Sequence, residues 1–256
     1  MVQHHQQGLS HRNLHSHIGG MDQYSSPLRV ATYNIRKSVG LDRRRDPGRV
    51  LDVINQLDSD IVALQEVDLR LGARASTLSR REIERSTDLE PIEIAVNDVS
   101  LGWHGNAILV RKGARVSWRG RIVLPSLEPR GAAMAELSWR DAHIRVVALH
   151  LGLTRKMRQA QLRAITGAIS DRPDMATIIM GDFNEWKANL GVEALSQAYQ
   201  VHSPGRSFHA ARPVASLDRI AVSRALSMTD AGVKQTRQSL IASDHLPVWA
   251  DFQINR

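Results

Sequence analysis

Six short polar clusters in this 256-residue chain each stand at the end of a run of β-forming residues, and this placement limits the fold more than any other feature. They are Tyr33-Asn34-Ile35-Arg36, Gln65-Glu66-Val67-Asp68, His150-Leu151-Gly152-Leu153, Gly181-Asp182-Phe183-Asn184, Ser216-Leu217-Asp218-Arg219 and Ser243-Asp244-His245. Residues so far apart in sequence meet when a rigid scaffold delivers its strand ends to one rim, where loops build sites. The runs that read as strands are Arg29 to Ile35, Ile61 to Leu64, Ile92 to Val96, Ala107 to Val110, Ala132 to Leu137, Ile144 to Leu149, Thr177 to Met180, Leu217 to Val222 and Val248 to Phe252. Helices are fewer. One starts at Asp46-Pro47, a cap followed by proline at the first helical position, and presents Val50, Leu51, Ile54 and Leu57 on one face. Another runs from about Arg155 to Ser170 with Leu162, Ile165, Ala168 and Ile169 inward. Many strands with few amphipathic helices predict an α/β chain in which two sheets pack face to face and helices cover them outside.

Apolar residues make up 42% and charged residues 23% of the chain, enough to build a substantial core. No linker divides it, so residues 27–256 are expected to form one domain, whereas Met1 to Ser26, rich in His, Gln, Ser and Gly without apolar periodicity, reads as a disordered tail. There is no cysteine, which excludes disulfides and thiolate metal sites and leaves oxygen and imidazole as the metal donors. No stretch approaches the roughly 18 to 20 apolar residues that span a bilayer, and the first residues lack the apolar core of a signal peptide, so a cytoplasmic location is expected. The net charge of +8 falls on the folded body, which suits polyanions such as nucleic acid or anionic phospholipid but equally serves solubility.

Each cluster has a structural explanation when taken alone. Asp-x-Asn after Gly is a common turn, Glu66 can cap a strand, and an isolated His150 can be a hydrogen-bonded structural histidine. Read together, the segments "ATYNIR", "DIVALQEVD", "GNAILVRK", "PRGAAMAEL", "VVALHLGL", "IIMGDFNEW", "SLDRIAVS" and "SDHLPVWADF" resemble the endonuclease/exonuclease/phosphatase superfamily, in its deoxyribonuclease I and neutral sphingomyelinase branch, from Leu28 to Phe252. The resemblance implies a four-layer α/β sandwich, two mixed sheets flanked by helices with the site at one end, and a metal-dependent phosphoester hydrolase.

The same resemblance implies roles for particular residues. Glu66 matches the principal metal ligand, with Asn34 beside it and Asp244 as a further acidic group, a donor set suited to Mg²⁺, with Mn²⁺ also fitting. Asp182 and Asn184 match the pair that orients the attacking water and holds the phosphate. His245 matches a general base, with Asp218 fixing its tautomer. His150 matches the histidine that protonates the leaving oxygen or bonds a non-bridging one, while Asn106 and Arg130 match phosphate-contacting positions.

A phosphodiester is the expected substrate, acted on as a nuclease or a phospholipid-type enzyme does; a phosphomonoesterase and an inactive binding scaffold are the alternatives. The sequence leaves the oligomeric state open. A basic segment, Arg36 to Arg49, follows directly on Asn34 and reads either as a phosphate-tracking loop or as a solvated one. Trp103 and Trp186 lie close to motifs, where a ring can stack on a base or dip into a lipid interface, but they are expected to be buried.

Overall fold

The computed structural model describes residues 26–126, 130–140, 142–187 and 192–255, so the predicted disordered tail lies, but for Ser26, outside the described residues. In the first half the elements are β1 (Leu28–Asn34), α1 (Pro47–Leu57), β2 (Ile61–Gln65), α2 (Arg80–Ser86), β3 (Leu89–Pro91), β4 (Ala107–Arg111) and β5 (Arg115–Val123). Then come β6 (Gly131–Trp139), β7 (Ala142–His150), α3 (Arg155–Ser170), β8 (Ala176–Asp182), α4 (Glu193–Ser196) and β9 (Tyr199–His202). β10 (Asp218–Ser223), β11 (Leu226–Val233), α5 (Ser239–Ala242) and β12 (Val248–Ile254) complete the chain.

Two six-stranded mixed sheets result, in the orders β11-β12-β1-β2-β4-β3 and β5-β6-β7-β8-β10-β9. Between them lies a dry layer that includes Val30, Ile61, Ala63, Ile108, Val146, Ile178 and Phe252. The outer face of the first sheet packs Ala31, Tyr33 and Val62 against Val50, Ile54 and Leu57 of α1, and that of the second packs Val147, Leu149 and Ile179 against Leu162 and Ile165 of α3. Each fully buried aliphatic side chain contributes about 1.5–3 kcal/mol, so three such layers account for the stacking of helix, sheet, sheet and helix. This is the expected four-layer sandwich.

Both long helices form as their sequences require. Asp46 accepts from the Arg49 amide at the N-terminus of α1, and Thr154 accepts from the Met157 amide at that of α3. Each helix joins two parallel strands, β1 to β2 and β7 to β8. Parallel neighbours end at the same edge, so Asn34 pairs with Gln65 in register, and His150 with Asp182. The antiparallel partners must begin where those strands end: Asp218 opens β10 opposite Asp182, and β12 starts with Val248 opposite Thr32, just after His245. One rim of the sandwich therefore collects strand ends and strand starts alike. Gly181 lets β7 and β8 come this close: at φ 152° it adopts backbone that L side chains rarely reach, and a Cβ there would stand 2.0 Å from the Leu149 carbonyl oxygen.

Departures from the sequence reading are concentrated at sheet edges. Residues expected as the strand Ile92 to Val96 instead follow the short β3, with Ile92 adding one further bond to the Ile108 carbonyl, and Ile92 and Ile94 pack between the sheets. β5 and β11 are edge strands whose outward residues are exposed, so their sequences carry little apolar signal. α2 opens with a Ser79–Glu82 capping box yet buries only Ile83, too little for an apolar stripe. Trp103 is half-buried, as a core residue of the rim, but Trp186 is 62% exposed and sets its edge against Phe208, which corrects the expectation of a buried ring.

Candidate active site

At the rim, Asp182 is the point of convergence. Its Oδ2 accepts a 3.0 Å hydrogen bond from the Asn34 amide across the sheet interface, and two imidazole nitrogens face the same oxygen: His150 Nε2 at 3.4 Å and His245 Nε2 at 3.6 Å. Its other oxygen, Oδ1, accepts from the Asn184 amide nitrogen at 2.9 Å, and the Asn184 side chain donates to the Leu151 carbonyl at 2.8 Å. Asn184 therefore braces Asp182 from a left-handed backbone, φ 50°. Beneath this segment, buried Arg219 donates to the Glu185 and Lys187 carbonyls, and Arg158 pairs with the Glu185 carboxylate.

His245 is held at its far nitrogen. Nδ1 lies 2.8 Å from Asp218 Oδ2, which also accepts from the Ser207 hydroxyl at 2.6 Å, while Phe208 packs on the ring with centroids 5.0 Å apart. Asp218 is fully buried, and its Oδ1 has no hydrogen-bond partner among the described residues. Burial alone would lower the pKa of His245, but the charges of Asp218 and Asp182 and the bond to Asp218 outweigh it and hold the ring at about 10, so it is an imidazolium at neutral pH. His150 goes the other way: burial, only partly opposed by Asp182, brings it down to about 3 and keeps it neutral. One aspartate thus sits between a charged and an uncharged imidazole.

The other side of the site is built on Glu66. This residue follows β2 with φ 55°, and Lys37 donates to its Oε2 while Arg70 stands 3.6 Å from Oε1. Burial works to raise the Glu66 pKa, yet Lys37, Arg70 and Arg130 hold it below the usual range, so the carboxylate is charged. Lys37 reaches it from an unusual turn in which Arg36, Lys37 and Ser38 all have positive φ (47°, 56° and 57°). Left-handed L residues cost roughly 1–2 kcal/mol each, so other contacts must hold this turn in place. The Lys37 amide donates to the Glu66 carbonyl at 3.0 Å, the Ser38 amide to the Ile35 carbonyl at 2.8 Å, and the Ser38 and Thr77 hydroxyls meet at 3.0 Å. Asp244 is partly exposed, 3.4 Å from Arg36, and the neighbouring Ser243 hydroxyl ties the segment to the Asn34 carbonyl at 2.7 Å.

All ten residues singled out in the sequence lie along this rim, though not in one kind of environment. Asn34, Asp182, His150, His245 and Asp218 form a contiguous buried chain, and Asn184 braces it. Glu66 and Asp244 are each neutralised by a basic neighbour. Asn106 is buried and donates both to the Gly131 carbonyl at 2.8 Å and to the Trp103 carbonyl at 3.3 Å, which fastens the start of β6 beside Arg130. Arg130 lies close enough to act electrostatically on both Glu66 and His150. Of the basic segment, Arg36 and Lys37 turn into the site, Arg45 bonds the Lys37 carbonyl, and Arg49 is spent on Asp42. The sequence reading missed Ser207 and Phe208, which lie in a stretch without periodicity, and the roles of Lys37 and Ser243, which were in view only as parts of a basic run and a motif.

The donors around the site are hard oxygens, with imidazole as the only nitrogen ligand. Asp182, Asp218 and His245 also form a group whose ligand atoms lie within 4.8 Å of one another, in which His245 Nδ1 and Asp218 Oδ2 are bonded to each other. Glu66, partly open to solvent and charged, offers carboxylate oxygens of the kind a hard divalent ion selects.

The sequence pattern of the endonuclease/exonuclease/phosphatase family matches residues 31–245. The chain belongs to that family. Its members are phosphoester hydrolases that generally use divalent metals. A relative in Escherichia coli K12, the uncharacterised protein YbhP, is 29% identical over 251 residues, covering 89% of this chain and 96% of its own. Among solved structures, the mannosyl-6-phosphatase Bt3783 of Bacteroides thetaiotaomicron VPI-5482 is similar with a TM-score of 0.69 at 18% identity, over 89% of this chain and 100% of that one. TDP2 of D. rerio, complexed with a single-strand DNA product, gives a TM-score of 0.69 at 17% identity, over 90% and 100%. At such identities these structures establish the family's fold for this chain. No helix among the described residues is long and apolar enough to cross a membrane.

Proposed function

We propose that this protein is a phosphodiesterase that directs water onto an anionic phosphodiester at the Asp182 rim, with Mg²⁺, or Mn²⁺ in its place, held by Glu66, Asn34 and Asp244. The observation that carries this reading is the convergence of Asn34, His150 and His245 on one oxygen of Asp182 beside the cation-attracting Glu66. A diester repels hydroxide, so the site must neutralise charge, aim a water and supply hydrogen bonds to the departing oxygen. The bound cation would supply charge neutralisation at the phosphate.

The chain's own groups divide the rest. Asp182, fixed by Asn34 and Asn184, orients the attacking water and takes its proton. His245, charged and locked by Asp218, donates from Nε2 to the departing oxygen and gives it the proton as the bond from phosphorus to that oxygen breaks and the bond to water forms. The sequence reading makes His245 the base, which needs a neutral ring; its charged state in the resting site moves the proton acceptor to Asp182. His150, being neutral, offers an N–H hydrogen bond rather than a labile proton. Arg130 adds positive charge at the phosphate, and Asn106 acts by positioning the β6 start beside it.

The DNA-bound neighbour supports diesters and nucleic acid, and the phosphatase neighbour keeps the monoester as the second reading. A panel of plasmid DNA, single-stranded DNA, RNA, sphingomyelin, lysophospholipid and chromogenic mono- and diesters tests it. Diester hydrolysis exceeding monoester hydrolysis at least tenfold in kcat/KM, in Mg²⁺ or Mn²⁺, is the expected result. Faster monoester hydrolysis would replace the reading with a phosphatase, and no turnover of any ester would return the chain to a binding scaffold.

A further inference from the structure

A cleft of about 260 Å³ opens beside Glu66, and Lys37, Arg70, Arg74, His104 and Arg130 line it together with Glu66. Asp68 also borders the cleft, but its carboxylate is spent on the Leu101 and Gly102 amides, at 2.9 and 3.2 Å, and so holds the 101–105 loop. Arg74 differs from the other cations. Its Nη1 lies 2.6 Å from His104 Nδ1, and no carboxylate pairs with it among the described residues. A guanidinium has no lone pair to offer, so Nδ1 must be the acceptor and the ring must be neutral with its proton on Nε2. The pair therefore presents a guanidinium that forms no ion pair with a carboxylate among the described residues and an imidazole N–H donor of fixed tautomer.

This wall is built rigidly. Arg74 and His104 both have left-handed backbone, φ 55° and 50°, and Gly105 follows at 81°. The Gly105 carbonyl accepts from the Val67 amide at 3.1 Å, next to Glu66, and the Ser100 hydroxyl donates to the Arg74 carbonyl at 2.8 Å. Trp103 sets its ring edge against His104 with centroids 4.2 Å apart. Donors fixed before a ligand arrives favour an anion without a further ordering cost. Lys37, Glu66 and Arg130 border both the cleft and the catalytic rim, so a group in the cleft is a near neighbour of a phosphate at the rim.

We propose that this cleft is a second-phosphate subsite, in which Arg74 and His104, with Arg70 at the mouth, bind a phosphate that flanks the one being hydrolysed. The substrate class that follows is a phosphoester carrying a second phosphate a short linkage away. A nucleic-acid strand and a phosphorylated lipid headgroup both supply this chemistry. The inference rests on the proposed phosphoester site, and its test is by equilibrium binding, so that it gives an answer whether or not an ester is turned over.

Calorimetry would compare thymidine bisphosphate with thymidine monophosphate, and phosphorylated with unphosphorylated glycerophosphoinositol, each with Mg²⁺ and with chelator. The wild-type protein should bind at least one bisphosphate about tenfold or more tighter than its one-phosphate counterpart, and the preferred backbone identifies the source. Arg74→Gln should remove that advantage while leaving the monophosphate affinity within about twofold, and Arg74→Lys should recover part of it, since a point charge replaces the fork. Equal affinities within both pairs for the wild-type protein, or a full advantage retained in folded Arg74→Gln, would overturn the subsite. Absence of turnover with every ester, alongside a preserved bisphosphate preference, would instead overturn the catalytic reading and leave the subsite standing.

Discussion

Asp182→Asn should lower kcat on a chromogenic diester by about 10³-fold or more while the protein stays folded, because it removes the proton acceptor and leaves the shape intact. Asparagine can still accept from the Asn184 amide, but it no longer balances the two imidazoles or takes a proton from water. The substitution also withdraws one of the charges that hold His245 protonated. KM should change far less than kcat, since the loss falls on the chemical step. A variant within about tenfold of wild-type kcat would place the proton acceptor elsewhere, with neutralised His245 the next candidate.

His245→Ala and Asp218→Asn should each cost about 10²- to 10⁴-fold in turnover, and the double variant should be little worse than the poorer single one, since the two groups act as one unit. The pH dependence separates the roles. If charged His245 protonates the departing oxygen, activity holds through neutral pH and falls on an alkaline limb as the ring loses its proton towards a pKa of about 10. Asp218→Asn removes a main support of that charge, so its residual activity should fall at lower pH than the wild type's. A limb on the acid side that follows His245 would restore it as the base.

Stability has the same sign. The folded pKa of His245 is raised, so its stabilisation is complete below the unfolded value of about 6.5 and is lost as pH rises through about 10. His245→Ala leaves Asp218 buried with Ser207 as its remaining partner, a change that typically costs about 3–5 kcal/mol. The difference in melting temperature between wild type and variant should narrow above neutral pH. Additive losses in the activity cycle, or a stability gap that widens with rising pH, would show that the two residues are not coupled as a charged pair.

Much of the architecture was legible because parallel strands buried on both faces are nearly continuous apolar runs, as in Ile61 to Leu64 and Ile144 to Leu149, and because α1 and α3 carry cap and stripe together. The edge strands β5 and β11 were not, since a strand with one exposed face and polar outward residues has no apolar run to read. The site residues could be found by their motifs and by their strand-end positions. What they do to one another could not. Whether His245 is charged depends on Asp182, which arrives from a strand more than sixty residues away, and on burial under Phe208. The pairing of Lys37 with Glu66 depends on a left-handed turn that no propensity favours. Trp186 looked like a core residue because tryptophans near motifs usually are, but its loop leaves the rim at Glu185 and carries the ring into solvent.

Whether a divalent cation at Glu66 serves phosphodiester hydrolysis is decided by initial rates on a diester reporter across a Mg²⁺ titration, for wild type and Glu66→Gln, after chelator treatment. The structure predicts no turnover without metal and a saturable return with it. Glu66→Gln should stay folded, lose most of that turnover, and need far more Mg²⁺ for what remains, because the neutral amide forfeits the charge that draws the cation past Lys37. Near wild-type rates in metal-depleted buffer, or an unchanged Mg²⁺ dependence in Glu66→Gln, would contradict it.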